Sequence, residues 1–388
     1  MTSPSDVRVP LWRDDRFWKI AFQALVAVLV IALFSVLIHN LNYNLRRQGL
    51  EFTFRFLRNA AGFSIGESIL PYAPSNSYFR AITVGLVNTL RLILVGFVLT
   101  TILGVIAGTA SFSSNWLVRK LSQVYVEVIR NTPLLLQLIF WYFPILLQLP
   151  REESRLALPG AIFASKNGIY VPWPTQDALS LLCLAALAGL GVAAWFVFQQ
   201  RLKAMVERAE SGKRQQNILL GMGAVALLIF LVAFRWQFPA VTEANRVAGG
   251  LRISLEYAAI LIGLVVYTGA FIAEIVRGGI QSVSKGQWEA ARSLGLKPGQ
   301  VMQLVVFPQA LRVIIPPLNS QYMNLAKNSS LALVIGYPDL FSVSQTALNQ
   351  TGRPVEMFII LMSIYLLINL VISLFMNFLN RSVQFKER

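Results

Sequence analysis

The chain has 388 residues, of which 55% are hydrophobic and only 13% charged, with a mean hydropathy of +0.59. An ordinary soluble domain carries about 25% charged residues, so this composition excludes a soluble globular protein and makes lipid the main solvent. The net charge of +16 falls mostly in short segments between apolar runs, which points to anionic lipid headgroups and not to nucleic acid.

A polar start containing Asp6, Asp14 and Asp15 precedes the first apolar run, 19–39. As a helix, a run of about 20 residues crosses roughly 30 Å of hydrocarbon. No small-residue cleavage site comes after it, so it is expected to be a retained span and not a signal peptide. His39 closes this span, and a single histidine without cysteine or carboxylate neighbours makes neither a metal site nor a catalytic triad. Leu50 to Leu57 has an amphipathic rhythm that suggests a helix lying on the membrane surface.

Further apolar runs lie at 82–109, 132–150, 178–198, 217–236, 255–276, 328–346 and 356–378. The fold class is therefore all-α: a polytopic membrane protein with about eight transmembrane helices. Its expected organisation is an N-terminal span and outer segment (1–80), the first part of a core (81–150), a loop with a two-span insertion (151–250) and the second part of the core (251–388). An even number of spans puts both termini on one side. Segments on that side hold 21 of the 34 Lys and Arg residues, which predicts cytoplasmic termini.

The first, fourth and fifth spans are bland and read as scaffold, and Cys183 in the fourth reads as packing without redox or metal chemistry. Polar residues concentrate in the other spans: Asn88, Thr89 and Arg91; Asn131, Thr132 and Gln137; Tyr267, Thr268 and Glu274; Asn328, Ser329 and Ser330. Such groups are expensive in hydrocarbon and face a partner or a watery path. A pocket for a zwitterion needs donors for a carboxylate and acceptors for an ammonium, which makes Asn131, Thr132, Gln137, Tyr267, Thr268, Glu274, Asn328 and Ser329 candidate pathway residues. Glu274 and Arg277 are three apart, so a structural ion pair competes with that role. Arg130 is open to a similar alternative as a basic flank, and Trp141, Tyr142 and Phe143 as interfacial anchors. No cluster of residues suggests catalysis or a metal.

The most informative segment is about 280–312. Glu289-Ala290-Ala291-Arg292 are helix formers, Gly295 suits a helix stop, and Pro298 suits the first turn of a second helix. Pro308 and the pair Pro316-Pro317 are expected to interrupt the chain beyond that turn. Small residues flanking one acid fit a short helix docked in another protein's groove. Glu-Ala-Ala, Gly295, Val305 and Phe307-Pro308 in this spacing resemble the EAA loop of type I ABC-importer permeases, with Val305 and Phe307 where that family favours Ile and Leu. Asn88-Thr89-Leu90-Arg91, Arg130 to Leu135, Ala273 to Ile280 and Lys327 to Leu331 resemble the polar and general L-amino-acid branch.

The resemblance implies a permease subunit of an ATP-driven amino-acid importer. Glu289, Ala290, Ala291, Gly295 and Pro308 would couple it to a separate ATPase dimer that binds ATP and Mg. A periplasmic binding protein would deliver the amino acid, and a related permease would complete a heterodimer, with a homodimer as the alternative. Gly212-Lys213 is followed by Arg214 and lacks the earlier glycine of a phosphate-binding loop. The competing function is a secondary transporter driven by an ion gradient, which needs buried carboxylates or broken helices.

Overall fold

The computed structural model describes residues 15–47, 49, 52–175, 177–207 and 212–383. Asp6 and Asp14 of the polar start, Leu50 of the expected surface helix and residues 384–388 lie outside the described residues. Seven described helices are long and apolar enough to cross a membrane, and a shorter apolar one covers Leu134–Gln148. In chain order the helices are α1 (Asp15–Arg47), α2 (Tyr78–Ala110), α3 (Trp116–Arg130), α4 (Leu134–Phe140), α5 (Ala178–Glu207), α6 (Lys213–Leu228) and α7 (Leu255–Gln281). They continue with α8 (Lys285–Ser293), α9 (Pro298–Val301), α10 (Phe307–Asn328), α11 (Leu340–Thr351) and α12 (Pro354–Val383).

The core is built on α2 against α7, with α10, α11 and α12 around them. Ile272 and Val276 of α7, Ala310, Ile314 and Leu325 of α10, and Met376 of α12 form one buried cluster with Ile93 of α2. The α2–α7 approach depends on small residues, as membrane helix contacts do. A Cβ on Gly104 would stand 2.4 Å from Ile272 Cγ2, and one on Gly108 would stand 2.7 Å from the Ala273 carbonyl oxygen.

Three expectations are corrected here. The seventh span does not run over 328–346: the crossing segment is Pro298–Ile335, so Asn328 and Ser329 come near its end. Gly336, at φ +79°, and Pro338 stop it, and α11 then starts on an Asp339 cap whose side chain accepts from the amides of Phe341 and Ser342. With 12 residues, α11 is only about 18 Å long and does not cross. Nor do Pro316 and Pro317 interrupt α10, which runs unbroken through them. Burial of Ala310, Ile314, Leu318, Tyr322 and Leu325 along one face outweighs a cost of about 3 kcal/mol per interior proline. Finally, the described residues of the expected surface helix form a single 3₁₀ turn, Arg55–Arg58, whose Phe56 is buried among Tyr78, Val343 and Met357.

The expected third span also divides. The amphipathic α3 packs across α2 and α7, with Ser122 Oγ donating to the Ala107 carbonyl at 2.6 Å and Tyr125 Oη to that of Val266 at 2.7 Å. The chain then turns at Asn131-Thr132-Pro133 into α4, and a π turn and a 3₁₀ turn carry it on to Gln148.

Short strands complete the end of the bundle opposite α8. β1 (Leu156–Leu158), β2 (Ile162–Ser165), β3 (Gly168–Val171) and β8 (Leu251–Ile253) form an antiparallel sheet in that order. The last pairing sets Val171 against Leu251 and Ile169 against Ile253. β4 (Trp173–Pro174) pairs with β5 (Trp236–Gln237), and β6 (Ala240–Val241) with β7 (Val247–Ala248). Between these strands α5 and α6 pack on each other, while Leu181, Leu182, Phe196, Leu220 and Val232 remain exposed, as lipid-facing residues are.

Candidate functional site

The end carrying α8 has two features. The first is an elbow. The helix stops where Gly295 takes φ +78°, a left-handed conformation that glycine adopts at least cost. The amides of Leu294, Gly295 and Leu296 donate to the carbonyls of Ala290, Arg292 and Ala291 at 3.1, 2.9 and 3.3 Å. Pro298 opens α9, and the Lys297 amide donates to Gln300 Oε1 at 2.9 Å. A π turn at Met302–Val306 leads into α10, where Pro308 lacks the N–H that would serve the carbonyl of Leu304.

One face of the elbow is anchored. Ala291 is buried with Val283 and Val301, and Trp288 and Leu296 pack against the same cluster. Gln309 Nε2 donates to Gln287 Oε1 at 3.1 Å, bracing α8 on α10. The other face presents Glu289, Ala290 and Leu294, with Leu294 81% exposed. A leucine projecting from a turn that is itself fixed to the core has the shape of a knob for another protein's groove.

The second feature is a cavity of about 450 Å³ between α2, α3 and α7. Its polar wall comes from Glu127, Arg130, Asn131, Glu274 and Arg277. Arg277 Nε donates to Glu274 Oε2 at 2.9 Å and its Nη2 to Oε1 at 2.5 Å, while Arg130 Nη1 lies 3.9 Å from Glu274 Oε2. Arg130 also sits over the Phe271 ring at 5.3 Å. Glu274 is thus ion-paired within α7 and also lines the cavity. Two carboxylates and two guanidiniums make the wall neutral overall, which suits a zwitterion better than an ion of either sign.

Residues 216–385 match the family described as "Binding-protein-dependent transport system inner membrane component". The chain is 41% identical to the putative amino-acid ABC transporter permease protein YhdX of Escherichia coli, over 95% of this chain and 94% of that one. It is 39% identical to the general L-amino acid transport system permease protein AapQ of Rhizobium johnstonii, over 97% of this chain and 94% of that one. It is 37% identical to the glutamate/glutamine/aspartate/asparagine transport system permease protein BztB of Rhodobacter capsulatus, over 97% of this chain and 96% of that one. The chain belongs to the amino-acid ABC transporter permeases. This membership favours the ATP-driven reading over the gradient-driven one.

Elsewhere in the permease, the polar residues of α2 hold the strand end of the bundle together. Asn88 Nδ2 donates to the carbonyls of Glu67 and Pro338 at 2.8 and 2.9 Å, and Thr89 Oγ1 accepts from the Leu340 amide at 2.9 Å. Arg91 pairs with Glu67. Asp339, fully buried at this junction, has its carboxyl pushed up to about 7 by burial, against the opposing pull of its amide donors.

Of the candidate pathway residues, Asn131 and Glu274 are brought together at the cavity. The others lie apart from it. Gln137 Nε2 donates to the carbonyls of Ile129 and Thr132 at 3.0 and 3.1 Å, and Thr132 Oγ1 to that of Val128 at 2.5 Å, so both shape the α3–α4 turn. Ser329 Oγ donates to the Ala326 carbonyl at 2.8 Å. Thr268 is buried, Tyr267 stacks on Phe271 with ring centroids 5.0 Å apart, and Asn328 is half-buried at the end of α10. Sequence reasoning passed over Ser122 and Glu127, which also line the cavity. The amphipathic spacing of Ser122, Val126 and Glu127 within α3 was the available signal.

Proposed function

We propose that this permease moves amino acids from periplasm to cytoplasm by alternating access, with α8 seated on a separate ATPase dimer that binds ATP and Mg. The observation that carries the proposal is the elbow: Ala291 fastens it to the α7–α10 core while Glu289, Ala290 and Leu294 stand free on the opposite face. Force applied to that face reaches α7 and α10 through packed side chains. In this reading Gly295 sets the bend and Pro308 marks the start of the receiving helix.

The excess of Lys and Arg in the segments on the α8 side supports cytoplasmic termini and a periplasmic strand end in a bacterial inner membrane. A periplasmic amino-acid-binding protein meets that strand end. A second, related permease completes the pathway, as a heterodimer in preference to a homodimer. Arg130, Asn131 and Glu274 line the inward part of the route, where the neutral wall of the cavity supports passage of a zwitterion.

The test is uptake of labelled amino acids into proteoliposomes. Transport is expected only with the ATPase, the binding protein and ATP. Uptake by this chain alone on an ion gradient would overturn the proposal.

A further inference from the structure

The strand end holds a second cavity, of about 300 Å³, at the lower limit for small-molecule sites. Glu67, Arg252, Ser254 and Glu256 line it together with Gly66, Gly336 and Pro338. The groups free to serve a ligand are those not already engaged by the protein.

Glu67 is spent. Its Oε1 accepts from Arg91 at 2.6 Å and its Oε2 from the Ser254 hydroxyl. Ser254 is engaged as well: its only proton goes to Glu67, and its Oγ accepts from the Tyr257 amide at 3.0 Å as the cap of α7. Glu256 is half used: Oε1 accepts from Tyr142 Oη at 2.8 Å, and Oε2 takes part in no hydrogen bond among the described residues. Arg252 donates through Nε to the Asn167 carbonyl at 2.7 Å, and its two terminal nitrogens donate to nothing among the described residues. With the internal pairs removed, the cavity offers one carboxylate oxygen and one guanidinium fork.

Those are the complements of an ammonium and a carboxylate on one small molecule. Both groups are held in place. Arg252 lies in β8, paired opposite Tyr170, and Glu256 lies in the first turn of α7, fixed by Tyr142. Such preorganisation lowers the entropy lost on binding. No large apolar side chain lines the cavity to select among substrate side chains.

We infer that this recess is a separate amino-acid site, which holds the α-ammonium on Glu256 and the α-carboxylate on Arg252 before the molecule enters the membrane. The inference rests on the proposed function, since it takes the strand end as the face that meets incoming amino acid. It places a recognition step for the amino-acid backbone in the permease itself, apart from any selection made by the binding protein.

The experiment uses the complete transporter in nanodiscs and, as probe, whichever tritiated L-amino acid the wild-type complex imports fastest with ATP and binding protein. Equilibrium binding of that probe is measured without binding protein, in the wild type and in Glu256→Gln and Arg252→Gln. Gln at 256 keeps an acceptor for Tyr142, and Gln at 252 keeps a donor near Asn167, so assembly with the ATPase provides the folding control. Saturable binding is expected in the wild type, weakened about tenfold or more in each variant, as for loss of a charge-assisted hydrogen bond. The α-keto acid and the amide of the same amino acid are expected not to compete.

Absent wild-type binding, or binding unchanged in both variants, overturns the site while leaving ATP-driven import intact. Variants that bind the probe normally but lose stimulation of ATP hydrolysis by the binding protein would assign the recess to a side chain of that protein and overturn the amino-acid site. Wild-type complex that imports no L-amino acid overturns the proposed function and the site together.

Discussion

Arg91 donates to Glu67 Oε1 at 2.6 Å while its guanidinium lies over the Tyr257 ring, 4.0 Å from the centroid. One charged side chain thereby joins the outer segment, α2 and α7, and with the Asn88 bonds to Glu67 and Pro338 it ties in the turn before α11. Both partners are about four-fifths buried, so removing either leaves a poorly solvated charge. Glu67→Ala is expected to lower the stability of the purified chain by about 2 kcal/mol, below the full cost of breaking a deeply buried pair. The double variant with Arg91→Met should lose less than the sum of the single losses. Chemical denaturation of the three variants in detergent checks this.

At the elbow, Leu294 and Ala291 differ in consequence. Leu294→Asp alters a side chain that is 81% exposed, so the thermal midpoint should stay near that of the parent chain while the ATPase no longer co-purifies and uptake falls at least about tenfold. Ala291→Asp should instead lower the midpoint, because that side chain is buried against Val283 and Val301. Glu289→Lys is expected to behave like Leu294→Asp. Co-purification and thermal melting, measured together, separate the two classes.

The α2–α7 contact predicts a contrast between two glycines. In Gly108→Ala the new Cβ would lie 2.7 Å from the Ala273 carbonyl oxygen and from Val276 Cβ, and neither neighbour can swing away. The expected loss is about 1–3 kcal/mol. Gly278→Ala, with nothing within 4 Å of its Cβ, should be neutral or slightly stabilising through helix propensity. Denaturation midpoints of the two variants provide the comparison.

Asp339 gives the pH dependence. Burial pushes its carboxyl up to about 7 from an ordinary 3.8, so between those values the folded state holds a proton that the unfolded chain has lost. The stability contributed by this group is fully present below the unfolded value and is lost as pH rises through about 7. Melting midpoints should therefore fall as pH rises from about 4 to about 7 and level off above that, and Asp339→Asn should flatten that slope while keeping a side-chain acceptor for the α11 cap.

The elbow was legible in the sequence because its signals are local: a run of helix formers, a glycine stop and a proline start within about 14 residues of Lys285. The partners of the polar α2 residues were not legible. Asn88 reaches residues 21 and 250 positions away, and Thr89 one 251 positions away, so span two alone does not reveal that they hold the strand end together. The seventh span was misplaced because the apolar stretch around Leu331–Ile335 stood out, while Pro316-Pro317 suggested a break that packing overrides. Strands of two to four residues are too short to show a period-2 pattern. Of the cavity, Glu274 and Asn131 were visible as costly polar residues, but its third wall became clear only with α3 folded across α2 and α7.

The β3–β8 pairing that sets Val171 opposite Leu251 makes the chain leave and re-enter the body at adjacent points, with both α5 and α6 in the excursion. Beyond the stalk, the bonds of Arg155 to Asn245 and of the Val247 amide to Glu152 are ties that removing such a graft would break. A two-residue turn joining the stalk ends would close an ordinary hairpin, leaving a trimmed permease that keeps its elbow and both cavities.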